Sequence, residues 1–139
     1  MSVIAFDANA VREYSLLSDQ GPEKTVFSIG RLDTLLLGYV RDSTIEFSKK
    51  EERAKQVDAL VKSQKRFYLL VQFGLKGWKG FKDDAGNDIA FEQVSIAVPG
   101  IGNRLGLSAR AMDMLQPYIS ELALEIDTDN TISKEQEKN

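Results

Sequence analysis

The segment from residue 74 to residue 91 constrains the fold more than any other part of the chain. It contains the single tryptophan, four of the ten glycines and two of the seven phenylalanines. Trp78 and Phe81 lie three positions apart, so a helical turn or a compact loop would place both rings on one side. Each ring could bury roughly 150–250 Å². We therefore predict that Trp78 and Phe81 form the structural centre, and we call residues 74–91 the aromatic segment.

The second half of the aromatic segment has the composition of a turn. Residues 84–88 are Asp-Ala-Gly-Asn-Asp; Asp and Asn side chains bond their own backbone, and Gly supplies a positive φ. Residues 89–91 then predict an apolar, strand-like arm. A calcium loop of the EF-hand type would need a ligand where Gly86 stands. We therefore expect a solvated turn and no metal.

A long helix is predicted immediately before the aromatic segment, over residues 49–73. Ser48 and Glu51 form a capping-box pattern at its start, and Gly74 is placed to end it as a C-cap residue. The second half of the helix is apolar on almost every face, so we expect it to enter the core there. Its apolar positions follow the helical period at Val57, Leu60, Val61, Tyr68 and Val71.

The N-terminal third predicts a β-hairpin followed by a short helix. Residues 11–17 and 25–29 flank a turn that contains a Gly-Pro pair. Phe27 and Ile29 should share one face of the second strand. Asp33 is a good N-cap for a helix over residues 34–41.

The helix over residues 34–41 is apolar nearly all round, which is typical of a buried helix or of one that docks on a partner. If it meets a partner, we predict protein-binding roles for Leu36 and Tyr39, because aromatic side chains are frequent binding hot spots. If it belongs to the core, the partner surface lies elsewhere. Both alternatives remain open from the sequence.

The C-terminal third predicts a strand, a loop and a helix. Val94, Ile96 and Val98 alternate as in a strand, and the glycines of residues 100–106 indicate a flexible loop. Ser108 is placed to cap a helical turn, and Pro117 suits the first position of a helix over residues 117–126. The prediction is a single α+β domain over residues 1–126, with an N-terminal β-hairpin packed on a long central helix and a C-terminal helix, then a charged tail over residues 127–139.

Composition excludes several function classes. The chain has no cysteine and no histidine, which excludes Ser-His-Asp and Cys-His catalysis and removes the commonest metal ligand. The net charge of −3 provides no basic field for nucleic acid, and acidic residues follow the lysines around Trp78. No apolar run is long enough to span a bilayer. We expect a soluble, non-enzymatic protein without a cofactor.

Three segments carry a resemblance to small proteins encoded among the morphogenesis genes of tailed bacteriophages. The first is Thr-Val-Phe-Ser-Ile-Gly-Arg-Leu at residues 25–32, with the leucine-rich helix after it. The second is Gly-Leu-Lys-Gly-Trp-Lys-Gly-Phe at residues 74–81, continuing to Asn87. The third is Leu-Gln-Pro-Tyr-Ile-Ser-Glu-Leu at residues 115–122, followed by the charged end of the chain. Their order and spacing span most of the chain, and the second is the most specific.

The resemblance implies a protein that acts through protein–protein contacts and has no catalytic residues. It is similar to tail assembly chaperones and to small structural components of the head or tail. We therefore expect phage structural proteins as partners, with oligomers within an assembly, and a location in the host cytoplasm during assembly or in the virion. The alternative is a phage-encoded regulatory binding module that targets a host protein.

Overall fold

The computed structural model describes residues 3–50 and 55–138, with side chains described over residues 3–42 and 64–130. The α+β class is confirmed, with an N-terminal hairpin and a C-terminal helix. The elements follow in the order β1 (Val11–Tyr14), β2 (Val26–Gly30), α1 (Thr34–Lys50), α2 (Lys55–Gly74), β3 (Leu75–Lys79), β4 (Gln93–Val98), β5 (Gly102–Leu107), α3 (Ala109–Met114), a 3₁₀ turn (Gln116–Tyr118) and α4 (Ile119–Lys138).

A three-stranded antiparallel sheet has the order β1-β2-β3. The predicted hairpin is confirmed, since β1 pairs with β2. Phe27 and Ile29 are fully buried on one face of β2, whereas Val26 and Ser28 are half-buried on the other. The alternation predicted for this strand is therefore confirmed. Along its other edge, β2 pairs with β3, and Phe27 lies opposite Trp78 in this pairing.

Helix α2 is the central helix and contacts α1, α4 and β5. It ends at Gly74, as predicted, but continues directly into β3. Gly74 has no positive φ, so it does not end α2 through a left-handed C-cap conformation. A Cβ atom at this position would lie 2.6 Å from Cγ2 of Ile126. The glycine is required because α4 packs closely against the end of α2.

The predicted boundary between the first two helices is wrong. Helix α1 does not end near residue 41 but continues to Lys50, and α2 begins at Lys55. Residues 41–50 contain no Gly or Pro that would end a helix. Ser48 therefore lies inside α1 and cannot be the N-cap of α2, and its proposed capping partner Glu51 lies outside the described residues.

The rings of Trp78 and Phe81 are in contact, but a strand and not a helical turn presents the indole. The two ring centroids are 4.9 Å apart in an edge-to-face arrangement, and Phe91 meets the indole at the same distance. The indole N–H donates a hydrogen bond to the Ile89 carbonyl, 2.7 Å away. Phe81 also contacts Phe27, with centroids 5.8 Å apart. The aromatic segment is thereby folded back onto the three-stranded sheet.

The turn predicted in the aromatic segment is confirmed. Asp83 Oδ1 accepts hydrogen bonds from the backbone N–H groups of Ala85 and Asn87, and Gly86 has a φ of +83°. The strand-like arm predicted at residues 89–91 is wrong, because these residues form no strand. Their place is fixed by the Trp78 hydrogen bond and by the N–H of Ile89, which donates to the Phe81 carbonyl.

A second sheet consists of the antiparallel pair β4 and β5. The strand predicted around residues 94–98 is confirmed, whereas the flexible loop predicted at residues 100–106 is wrong, because most of it forms β5. Gly100 takes a positive φ in the connecting turn, and Gly102 takes one at the first residue of β5. Gly106 is buried, and a Cβ atom there would lie 3.1 Å from the Gln72 carbonyl of α2. These glycines therefore serve a turn and a close packing contact.

The C-terminal helices differ from the prediction mainly in length. Ser108 caps α3 as predicted, since its Oγ accepts the N–H of Ala111. Pro117 lies in the 3₁₀ turn and not at the first position of α4. The predicted boundary after residue 126 falls within α4, which continues to Lys138. Just beyond that boundary, Asn130 Oδ1 accepts the N–H of Leu32 at 3.0 Å.

Polar side chains fix β1 on α4. The Arg12 guanidinium contacts Asp129 at 2.9 Å and Glu125 at 2.6 Å. The Tyr14 hydroxyl donates to the Glu121 carboxylate. Burial raises the pKa of Tyr14, and the Glu121 carboxylate raises this pKa further. These contacts hold the N-terminal hairpin against the C-terminal helix.

Replacing Trp78 by alanine is expected to lower the free energy of unfolding by about 3–5 kcal/mol, because the change opens a cavity beneath the aromatic rings. Trp78→Phe keeps a ring but leaves the Ile89 carbonyl without its donor, so a smaller loss of about 1–3 kcal/mol is expected. Urea unfolding followed by circular dichroism measures both variants. A loss below about 1 kcal/mol for Trp78→Ala would contradict a central structural role for this residue.

Candidate protein-binding groove

An open groove of about 600 Å³ lies between α1 and the turn that joins β4 to β5. One wall is a face of α1, and the other wall is the turn. We call this feature the α1 groove. It is lined by Thr34, Leu35, Gly38, Tyr39 and Asp42 of α1 and by Pro99, Gly100 and Ile101 of the turn.

The helical period explains which side chains of α1 reach the groove. Positions 35, 38, 39 and 42 recur at the spacing that places residues on one face of a helix. Leu35 is 58% exposed on this face, and Tyr39 is half-buried. Leu36 and Val40 lie on the opposite face and are buried in the core. Helix α1 thus has one face in the core and a second apolar face at the groove.

The structure separates the two residues predicted to bind a partner. Leu36 is 5% exposed, so its side chain packs in the core and is not accessible to a partner in this structure. Its neighbour Leu35 occupies the accessible position. Tyr39 lies in the groove, where its role as a binding residue stays a prediction. Trp78 and Phe81 do not line the α1 groove.

Gly38 forms an open part of the groove wall. A Cβ atom built at this position would meet no other atom within 4 Å. The glycine is therefore not required by packing, although glycine inside a helix costs about 0.5–1 kcal/mol relative to alanine. A side chain at position 38 would project into free space beside Leu35 and Tyr39.

An ion pair near the groove connects the N-cap of α1 with β5. Asp33 caps α1 as predicted, since its Oδ1 accepts the N–H of Leu36 at 2.9 Å. Its Oδ2 accepts a hydrogen bond from Arg104 Nε of β5 at 3.3 Å. Burial acts to raise the pKa of Asp33, but the Leu36 N–H and the Arg104 guanidinium outweigh it and hold this pKa below its usual value. The Asp33 carboxylate is therefore kept ionised where α1 begins.

A half-buried lysine lies near this ion pair. Lys76 Nζ donates to the Phe73 carbonyl at 2.7 Å. Burial lowers the pKa of Lys76, and the Asp33 carboxylate opposes this shift. The stem of the side chain covers Gly30, where a Cβ atom would lie 2.8 Å from Lys76 Cγ. Lys76 thus fills space at the sheet.

Two further observations concern other classes of site. Among residues 3–42 and 64–130, whose side chains the structure describes, no three or more carboxylate, imidazole or thiol groups are grouped so as to hold a metal ion. None of the helices described over residues 3–50 and 55–138 combines the length and the apolar character that crossing a membrane demands.

Sequence reasoning found part of the groove and missed the rest. It identified Asp33 as a cap, and it singled out Tyr39, which lines the groove. It did not connect Asp33 with Arg104, which is 71 residues away. The signal that could have identified Leu35 is its spacing from Tyr39 and Asp42, because i, i+4 and i+7 positions share a face.

The lowered pKa of Asp33 predicts a stability contribution that depends on pH. It should be fully present above the unfolded-state pKa of about 3.9 and be lost as the pH falls through the lower folded-state value. Asp33→Asn retains an N-cap of similar strength but loses the charge. It should therefore be less stable than the parent at neutral pH, and this difference should shrink in acid.

The control for this pH experiment is Asp33→Ala, which removes the cap as well and should cost about 0.5–2 kcal/mol at neutral pH. Urea unfolding of the parent and both variants between about pH 7 and pH 3 measures the effect. A difference between the parent and Asp33→Asn that stays constant across this range would contradict the role assigned to the carboxylate.

All the residues that form the α1 groove and the nearby Asp33–Arg104 ion pair belong to this one chain. Comparisons with protein-family models, with curated proteins and with solved structures find no match. Any function is therefore inferred from the geometry of the groove and from the sequence resemblance.

Proposed function

We propose that this chain is a non-enzymatic protein of bacteriophage morphogenesis that binds phage structural proteins through the α1 groove. It acts as a tail assembly chaperone or as a small structural component of the head or tail. The phage setting comes from the resemblance of the three sequence segments. The observation that carries the binding role is the apolar lining of the groove, with Leu35 exposed and Tyr39 half-buried beside Pro99 and Ile101.

The groove has the composition of a protein-binding surface. Its centre is apolar and includes a tyrosine, and Asp42 and Thr34 supply polar groups. Interfaces typically combine an apolar centre, aromatic anchors and a polar rim. The Asp33–Arg104 ion pair connects the start of α1 with β5, and elements that are already held together reduce the ordering that binding requires. An apolar side chain of a partner can insert between Leu35 and Ile101.

The lining residues also favour binding over catalysis. Asp42 is the one carboxylate among them, and it is exposed, whereas catalytic acids and bases usually act in sites that exclude water. The whole chain has no histidine or cysteine to act as base or nucleophile. The chemistry of the groove is therefore that of apolar contact.

The two forms of the proposal differ in where the protein is found. A chaperone binds tail proteins transiently in the host cytoplasm and leaves, whereas a structural component remains in the virion. Mass spectrometry of purified virions separates them. A structural component would be present at a fixed copy number, and a chaperone would be absent.

Leu35→Glu is expected to abolish recovery of head or tail proteins from infected cells while the variant remains folded, because it places a charge in an apolar groove without entering the core. Leu124→Glu is the matched control: this leucine also lies on a helix and is 55% exposed, but on α4. Affinity purification followed by mass spectrometry measures both. Equal recovery by Leu35→Glu and the parent would contradict the groove, and recovery of host proteins alone would favour the regulatory module.

Substitutions of Gly38 test the groove without changing its charge. Gly38→Ala should raise the free energy of unfolding by about 0.5–1 kcal/mol, and it should retain binding because a methyl group fills little of the space. Gly38→Gln should fold equally well and weaken recovery of the partner by about tenfold or more, because its side chain occupies the groove. Equal binding by both variants would show that the partner does not enter this space.

A further inference from the structure

Strand β4 forms the outer edge of the two-stranded sheet. On its inner side lies β5, which contacts α2: Gln72 Nε2 donates to the Leu107 carbonyl at 3.2 Å, and Gly106 allows the close approach. In the described part of the chain, the backbone hydrogen bonds of β4 go to β5 and to the turn residue Ile101. The outward-facing N–H and C=O groups of β4 are therefore available to another strand.

The sequence of β4 lacks the features that normally protect an exposed edge. Its residues are Gln-Val-Ser-Ile-Ala-Val, with no charged side chain and no proline. Natural proteins block edge strands with charges, prolines or bulges because an open edge is a template for pairing. The edges of the other described sheet carry Arg12 and Glu13 on β1, and Lys76 and Lys79 on β3. Among the edge strands in the described residues, β4 thus differs in having no charge.

We propose that β4 pairs in antiparallel fashion with β4 of a second copy of this chain. The two hairpins then form a continuous four-stranded sheet, related by a two-fold axis perpendicular to the sheet. Such an axis keeps the core-facing side chains of both copies on the same side. With the axis at Ser95, each Val94 lies beside the second copy's Ile96. Val94 is 41% exposed, so the pairing covers apolar surface as well as backbone.

The distribution of charge favours a second copy in this orientation. The charged residue adjoining β4 is Glu92, at the N-terminal end of the strand. In an antiparallel pair the two Glu92 side chains lie at opposite ends, roughly 20 Å apart at the rise of a β-strand. Parallel pairing would place them side by side, where like charges are destabilising. Along the paired stretch, no charge of one copy faces a like charge of the other.

The size of the contact predicts a weak dimer. Pairing of one six-residue strand buries less than the area of about 1,200 Å² at which stable interfaces begin. We therefore expect dimerisation that depends on concentration in the micromolar to millimolar range. This inference does not rest on the proposed function, because the outer edge of β4 is not part of the α1 groove.

Sedimentation velocity and amide hydrogen exchange of the purified chain test the inference. Between about 10 μM and 1 mM the dimer fraction should rise, and protection of amides in residues 93–98 should rise with it. Ser95→Lys should weaken dimerisation by about tenfold or more, because two ammonium groups would face each other across the axis. Ser120→Lys makes the same change at an exposed serine of α4 and should leave the dissociation constant unchanged.

Two results would overturn the inference. One is a parent chain that remains monomeric up to about 1 mM. The other is a dimer that Ser95→Lys leaves intact while the amides of β4 exchange freely, since the contact would then lie elsewhere. Ser95 is exposed, so its replacement should not unfold the monomer, and circular dichroism verifies this. Either result leaves the experiments on Leu35 and Gly38 unaffected.

Discussion

The close packing of α4 and β5 against α2 is the constraint on which the rest of the structure depends. Two glycines make it possible, because a Cβ atom at Gly74 would overlap Ile126 and one at Gly106 would press on the carbonyl of Gln72. The position of β5 on α2 has two consequences. It places the β4–β5 turn beside α1, where the α1 groove forms, and it leaves β4 as an outer edge. Both proposed contact surfaces therefore depend on how the β4–β5 hairpin packs on α2.

The parts of the fold that were predicted correctly depend on local physics. Alternating apolar residues identified β2, and the side chains of Asp33 and Ser108 identified two helix starts, because each cap bonds a backbone group three residues away. The incorrect predictions concern places where contacts between residues far apart in the sequence determine the structure. The glycines of residues 100–106 indicated a loop, since nothing local shows that Gly106 must pack on α2. The contact between Arg12 and Asp129 spans 117 residues, and no sequence period reports it.

The candidate site likewise has features that the local sequence predicts and features that only tertiary packing determines. The apolar character of residues 34–41 was evident from composition, and the structure places one apolar face of α1 in the core and a second at the accessible groove. Which leucine faces the core depends on tertiary packing, because α1 packs against α2. Leu36 is therefore in the core, whereas its neighbour Leu35 is accessible. A single step along a helix rotates a side chain by roughly 100°, enough to exchange the two roles.

The central claim is that the α1 groove contacts a phage structural protein, and photo-crosslinking from inside the groove tests it most directly. Tyr39 is replaced by a photoreactive phenylalanine analogue in infected cells, and the same analogue at exposed position 124 on α4 serves as the reference. The account predicts that irradiation links position 39, but not position 124, to a head or tail protein. Crosslinks from both positions alike, or from position 39 to host proteins alone, would contradict it.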